Sequence, residues 1–103
     1  MAYKMTAVGL GNTGLSVFIL QSMLRGMQYL GKDGKPLEID GVAGQNTVYA
    51  INNFQRAQIA YGYDCGTKGK PNGIFGKKCW NNFRSVFRMS KEESIYLRKC
   101  IIL

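Results

Sequence analysis

The chain has 103 residues, 46 % of them apolar and 19 % charged, with 13 glycines dispersed along it. That length suits one domain with one core, and the charged fraction, below the roughly 25 % of an average soluble protein, excludes a charged tail. Fourteen Lys and Arg against six Asp and Glu leave a net charge of +8 without a single histidine, which removes the commonest general base and the commonest zinc ligand together.

The first residues lack the long apolar stretch of a signal peptide, and no apolar run exceeds four residues, so no membrane span is expected. From Leu15 to about Met27 the spacing predicts a helix. Its core-facing stripe is Val17-Leu20-Leu24-Met27, and a second stripe, Leu15-Ile19-Met23 with Phe18 beside it, lies on a neighbouring face. Gly31 to Pro36 carries the Asp-Gly and Pro signals of a turn, flanked by Tyr29-Leu30 and Leu37-Ile39 as a short hairpin. Asp40-Gly41-Val42-Ala43-Gly44 forms a second tight turn, and a second helix should follow from about Gln45 to Ile59, with Val48, Ala50, Ile51, Phe54 and Ile59 inward.

Tyr61 to Pro71, with three glycines, reads as an exposed loop. After Asn72-Gly73-Ile74-Phe75-Gly76 a third helix should run to about Phe87 and bury Trp80, Phe83 and Phe87. Ser90-Lys91-Glu92-Glu93 fits a capping box and predicts a short fourth helix bearing Ile95, Leu97, Ile101 and Ile102. These residues suit the Phe18/Ile19/Met23 face, which is otherwise open to a protein partner or a second copy of the chain. The three cysteines, Cys65, Cys79 and Cys100, have no metal-binding spacing. Reduced, partly buried thiols are expected, with a Cys65–Cys79 bridge as the alternative.

A device repeats within the chain. Residues 40–47 align with residues 72–79 at an offset of 32, and Ile51-Asn52-Asn53-Phe54 echoes Trp80-Asn81-Asn82-Phe83 at an offset of 29. In each copy an Asx-Gly pair makes a tight turn whose Asx side chain can accept a backbone N–H two residues on. Gly41, Gly73, Gly44 and Gly76 offer positive φ or close backbone approach. Thr47 or Cys79 then sits in the first turn of the helix, small enough to pack against its neighbour.

Three segments in order, Gly11-x-x-Gly14-x-x-Val17-x-x-Leu20-Gln21-x-x-Leu24, Asp40-Gly41-x-x-Gly44-x-x-Thr47-x-x-Ala50-Ile51-x-x-Phe54-Gln55 and Asn72-Gly73-x-x-Gly76-x-x-Cys79-Trp80-x-x-Phe83, together resemble the peptidoglycan-binding domain family. The resemblance covers about residues 11–83 of a single domain spanning 1–103. It implies an all-α fold, a compact three-helix bundle with tight Asx-Gly turns, to which residues 84–103 add a short C-terminal helix. It further implies a non-catalytic module that attaches a hydrolase, phage or secreted protein to the bacterial wall, needing neither metal nor cofactor, with Gln21 and Gln55 as buried glutamines that bond backbone. The chain departs from the pattern at Asn72 and Cys79, where relatives carry Asp and Thr. It departs again in the longer Arg56–Pro71 loop, in the extension, and at the apolar Phe18 and Ile19.

Peptidoglycan offers sugar faces, acidic and amide-bearing stem peptides and attached anionic polymers. Residues suited to it are Tyr49, Asn52, Asn53, Tyr61, Tyr63, Phe75, Lys77, Lys78, Asn81 and Asn82. The implied site of action is the cell envelope or the extracellular space, reached through another domain, lysis or a secretion apparatus. Hydrolysis is disfavoured: a glycosidase needs two poised carboxylates, and of only six acids Asp33 and Asp40 fall in expected turns and Glu92 and Glu93 in an expected helix cap. Two other classes compete, a protein–protein adaptor or inhibitor that keeps the fold without wall binding, and a basic nucleic-acid-binding helical domain. The latter would use Lys77, Lys78, Arg84 and Arg88 on phosphates, but no helix-turn-helix signature accompanies them.

Overall fold

The computed structural model describes residues 5–63 and 65–86, with side chains described as far as residue 81. Three helices form: α1 (Leu15–Gly26), α2 (Gln45–Ala60) and α3 (Lys77–Val86). Among the described residues there is no strand, only four isolated antiparallel bridges: Val8–Phe75, Thr13–Val42, Leu30–Pro36 and Thr67–Lys70. The Leu30–Pro36 bridge is what the expected hairpin amounts to. The expected capping box and fourth helix lie outside the described residues.

The apolar spacing of the sequence decides which helix faces turn inward. Val17, Leu20 and Leu24 of α1 and Ala50, Ile51 and Phe54 of α2 are buried, joined by Val8, Leu37, Ala43, Cys65, Phe75 and Cys79. The aromatics interlock: the Phe54 ring centroid lies 5.9 Å from Tyr29, edge to face, and 5.3 Å from Phe75, tilted, while Phe75 meets Trp80 edge to face at 4.7 Å. The Cα radius of gyration, 13.2 Å, is that of a globule of ~100 residues.

The two corners are the same construction made twice. Val42 donates its N–H to Asp40 Oδ1, and Ile74 donates to Asn72 Oδ1, each at 3.0 Å. Gly41 and Gly73 hold φ of 75° and 73°, the left-handed region that glycine enters without steric cost. A buried glutamine from the preceding helix then clamps each corner. Gln21 Oε1 accepts the N–H groups of Asp40 and Gly41, while its amide nitrogen meets Asp40 Oδ1, the Val42 carbonyl and Thr47 Oγ1 at 2.9–3.0 Å. Gln55 Oε1 accepts the N–H groups of Asn72 and Gly73, and its amide nitrogen meets Asn72 Oδ1, the Ile74 carbonyl, the Cys65 carbonyl and Cys79 Sγ.

The residues before α1 tie the corners together. Val8 exchanges two backbone hydrogen bonds with Phe75 of the second corner, and Gly11, Asn12 and Gly14 bond to Gly41 and Ala43 of the first. Trp80 closes this seam by donating its indole N–H to the Thr6 carbonyl at 3.1 Å.

Several expectations are corrected. Trp80 packs against the core but is only partly buried, because its polar ring nitrogen reaches a carbonyl near the surface. Val48 and Ile59, expected inward, are likewise only partly buried. Gly44 is an N-cap with extended backbone (φ −89°, ψ −170°), Gly76 lacks a positive φ, and a Cβ at either would meet nothing within 4 Å. The steric need falls on Gly41 and Gly73 instead. Of the two readings of the cysteines the reduced one holds: Cys65 and Cys79 are buried and form no bridge with each other, and Cys79 Sγ lies 3.0 Å from the Cys65 carbonyl. Both α2 and α3 start 32 residues apart, in register with the corners rather than with the offset of 29.

A candidate ligand groove beside the first helix end

Two adjoining shallow, open hollows of about 410 and 390 Å³ lie where α1 ends. They share Gln28, Tyr29 and Leu30. Arg25 and Pro36 complete one, while Gly31, Lys32, Gly34, Tyr49 and Asn53 complete the other. The lining is mainly ring and aliphatic surface with amides and two cations. Among the described residues no carboxylate lines either hollow.

Each wall has a local cause. The loop is pinned by Gly31 donating to the Lys35 carbonyl and by Lys35 donating its N–H to Asp33 Oδ1. Asn46, near the start of α2, reaches Asp33 at 3.5 Å. Arg25 holds the base of the loop through a 3.0 Å bond to the Leu37 carbonyl. Tyr29 rests edge-on against Phe54. Burial, and secondarily the neighbouring Tyr61 hydroxyl, push its phenol above the ordinary tyrosine range. It therefore stays a neutral hydroxyl at neutral pH, able to donate and accept.

The floor is strained. Helix α1 ends in a Schellman motif, with Gln28 N–H bonded to the Arg25 carbonyl and Tyr29 N–H to the Leu24 carbonyl. Helix α2 ends the same way 34 residues later, with Gly62 N–H on Ile59 and Tyr63 N–H on Gln58. The motif needs a left-handed residue after the C-cap. In α2 that residue is Gly62 (φ 91°), whereas in α1 it is Gln28 (φ 68°), a conformation costly for a residue with a Cβ.

Of the residues singled out in the sequence, the structure brings Tyr49 and Asn53 into this groove. Phe75 is not available to a ligand: it is fully buried between Phe54 and Trp80 and belongs to the core. Asn52 leans instead on the second corner at Gly73. Tyr61, 80 % exposed, and Tyr63 follow the end of α2 and do not line the hollows. Lys77, Lys78 and Asn81 are exposed on α3, also outside the groove, and the side chain of Asn82 lies beyond those described. Arg25, Gln28, Tyr29, Leu30, Lys32 and Pro36 were missed. Only the missing glycine after α1, set against Gly62 after α2, could have drawn attention to them.

On the far side of α1, Leu15 and Phe18 are about half exposed while Ile19 and Met23 are partly buried. No helix among the described residues is long and apolar enough to cross a membrane. No protein-family model, curated protein or solved structure matches the chain.

Proposed function

We propose that the chain is a non-catalytic module that binds bacterial cell-wall peptidoglycan, with the fold of the peptidoglycan-binding domains that its sequence resembles, acting at the cell envelope or outside the cell. The observation that carries this reading is the use of the motif's polar residues. Gln21, Asp40, Thr47, Gln55, Asn72 and Cys79 are tied into two corner clamps. Residues so engaged build a scaffold and are not free to move protons. The groove at the end of α1 supplies what a wall polymer offers partners for: tyrosine faces for sugar rings, amides for acetamido groups and cations for carboxylates. The net charge of +8 adds attraction towards an anionic wall.

The test is co-sedimentation of the pure protein with insoluble sacculi, before and after anionic polymers are stripped from them. Retention kept on stripping supports recognition of peptidoglycan itself. Retention lost on stripping assigns binding to the anionic polymer, and no retention on either preparation removes the wall-binding reading.

A further inference from the structure

Resting on the wall-binding reading, we propose that the groove formed by Arg25, Gln28, Tyr29, Lys32, Tyr49 and Asn53 takes the glycan strand rather than the stem peptide, with Gln28 held in a strained backbone conformation to present its amide to the sugar. Three observations converge. The first is shape: two adjoining hollows meeting at Gln28, Tyr29 and Leu30 suit consecutive rings of one strand. The second is chemistry. Tyr29 and Tyr49 present ring surface, and Gln28 and Asn53 present the paired donor and acceptor that an acetamido group requires. Arg25 and Lys32, with no carboxylate among the described residues lining either hollow, complement the lactyl carboxylate that each muramic acid carries once its peptide is gone.

The third observation is the strain. The two helix ends are built alike, and glycine relieves the left-handed residue in one but not in the other. Gln28 is exposed, so core packing does not require its side chain. A strained, exposed side chain on the floor of a groove is accounted for by what it touches when the groove is filled. Other occupants fit less well. A peptide bound by strand addition needs a free edge, and no strand exists among the described residues. A polyphosphate needs a denser array of cations than Arg25 and Lys32 provide.

The experiment titrates the ¹⁵N-labelled protein with peptide-free glycan strands released from sacculi by an amidase, and separately with free stem peptides. Amide shifts over residues 25–36 and 49–53 with glycan strands are expected, without comparable shifts from peptide. Gln28→Gly should weaken glycan binding roughly 3–10-fold, as expected for one lost hydrogen bond, while its thermal midpoint rises. Gln28→Asn, which keeps an amide and tolerates the left-handed region, should recover part of the affinity. A purely structural Gln28 would leave affinity unchanged in Gln28→Gly, and that result overturns the proposal. Sacculus retention accompanied by shifts from stem peptide alone overturns the glycan assignment and leaves wall binding standing. Failure of both sacculi and glycan strands to bind overturns the two together.

Discussion

Replacing Gln28 by glycine should stabilise the protein, although the substitution removes a side chain and adds no contact. Residue 28 occupies the left-handed position of the α1 Schellman motif at φ 68°. A non-glycine residue there costs about 1–2 kcal/mol. Against this, glycine loses more backbone freedom on folding, a penalty of about 0.5–1 kcal/mol. At the centres of these ranges the net gain is about 0.75 kcal/mol, or roughly 3–6 °C in Tm for a domain of this size. Differential scanning calorimetry on the wild type and Gln28→Gly measures it directly. Two companions sharpen the test. Gln28→Ala keeps the Cβ and should gain nothing. Gly62→Gln puts the same strain at the end of α2 and should lose about as much as Gln28→Gly gains. A Gln28→Gly midpoint at or below wild type, or an unchanged midpoint in Gly62→Gln, would refute the reasoning.

Gln55→Leu should cost about 3 kcal/mol in urea unfolding, because the N–H groups of Asn72 and Gly73 and the carbonyls of Cys65 and Ile74 lose their shared partner; a loss below ~1 kcal/mol would show that the clamp is dispensable. Hydrogen bonds from the Val42 N–H and then the Gln21 amide hold the Asp40 carboxyl below the ordinary aspartate range. Its stabilising contribution is therefore present above that range and lost as pH falls through it towards the depressed value. Asp40→Asn, which copies the second corner, should match wild type at neutral pH and show a flatter loss of Tm between about pH 5 and about pH 2; parallel acid limbs would count against it. Gln58 stands where the first unit has Leu24, and its buried Oε1 has no hydrogen-bond partner among the described residues. Gln58→Leu should raise stability by ~1 kcal/mol in the same urea assay, and a loss would mean that the oxygen is satisfied after all.

The helices were legible because their apolar spacing is strongly periodic, and the expected spans agree with α1, α2 and α3 to within a residue or so. The corners were legible for a different reason. Asx-Gly pairs have few uses, and the resemblance implied that Gln21 and Gln55 are buried glutamines, which must find partners. Their choice of the two corners depends on helix packing, which no local signal encodes. The role of Val8 in joining the corners left no trace in the sequence, since one valine followed by glycines has no period. The groove was half legible. Tyr49 and Asn53 stood out as exposed aromatic and amide residues on a helix, but Phe75 looked the same and is core, because its corner points it inward against Phe54 and Trp80. Gln28 and Tyr29 emerge only once α1 is known to end at Gly26 and the two helix ends can be compared.

The proposed function places wall binding in the groove, and retention on purified sacculi tests that most directly when wild type is compared with a Lys32→Ser/Tyr49→Ala double variant at one salt concentration. Both residues are solvent-facing, so the variant should unfold at nearly the wild-type temperature. Wild type should be retained, and the variant should bind roughly 10-fold or more weakly, a loss of at least ~1.4 kcal/mol. Equal retention of the two proteins, or none for either, would contradict that placement.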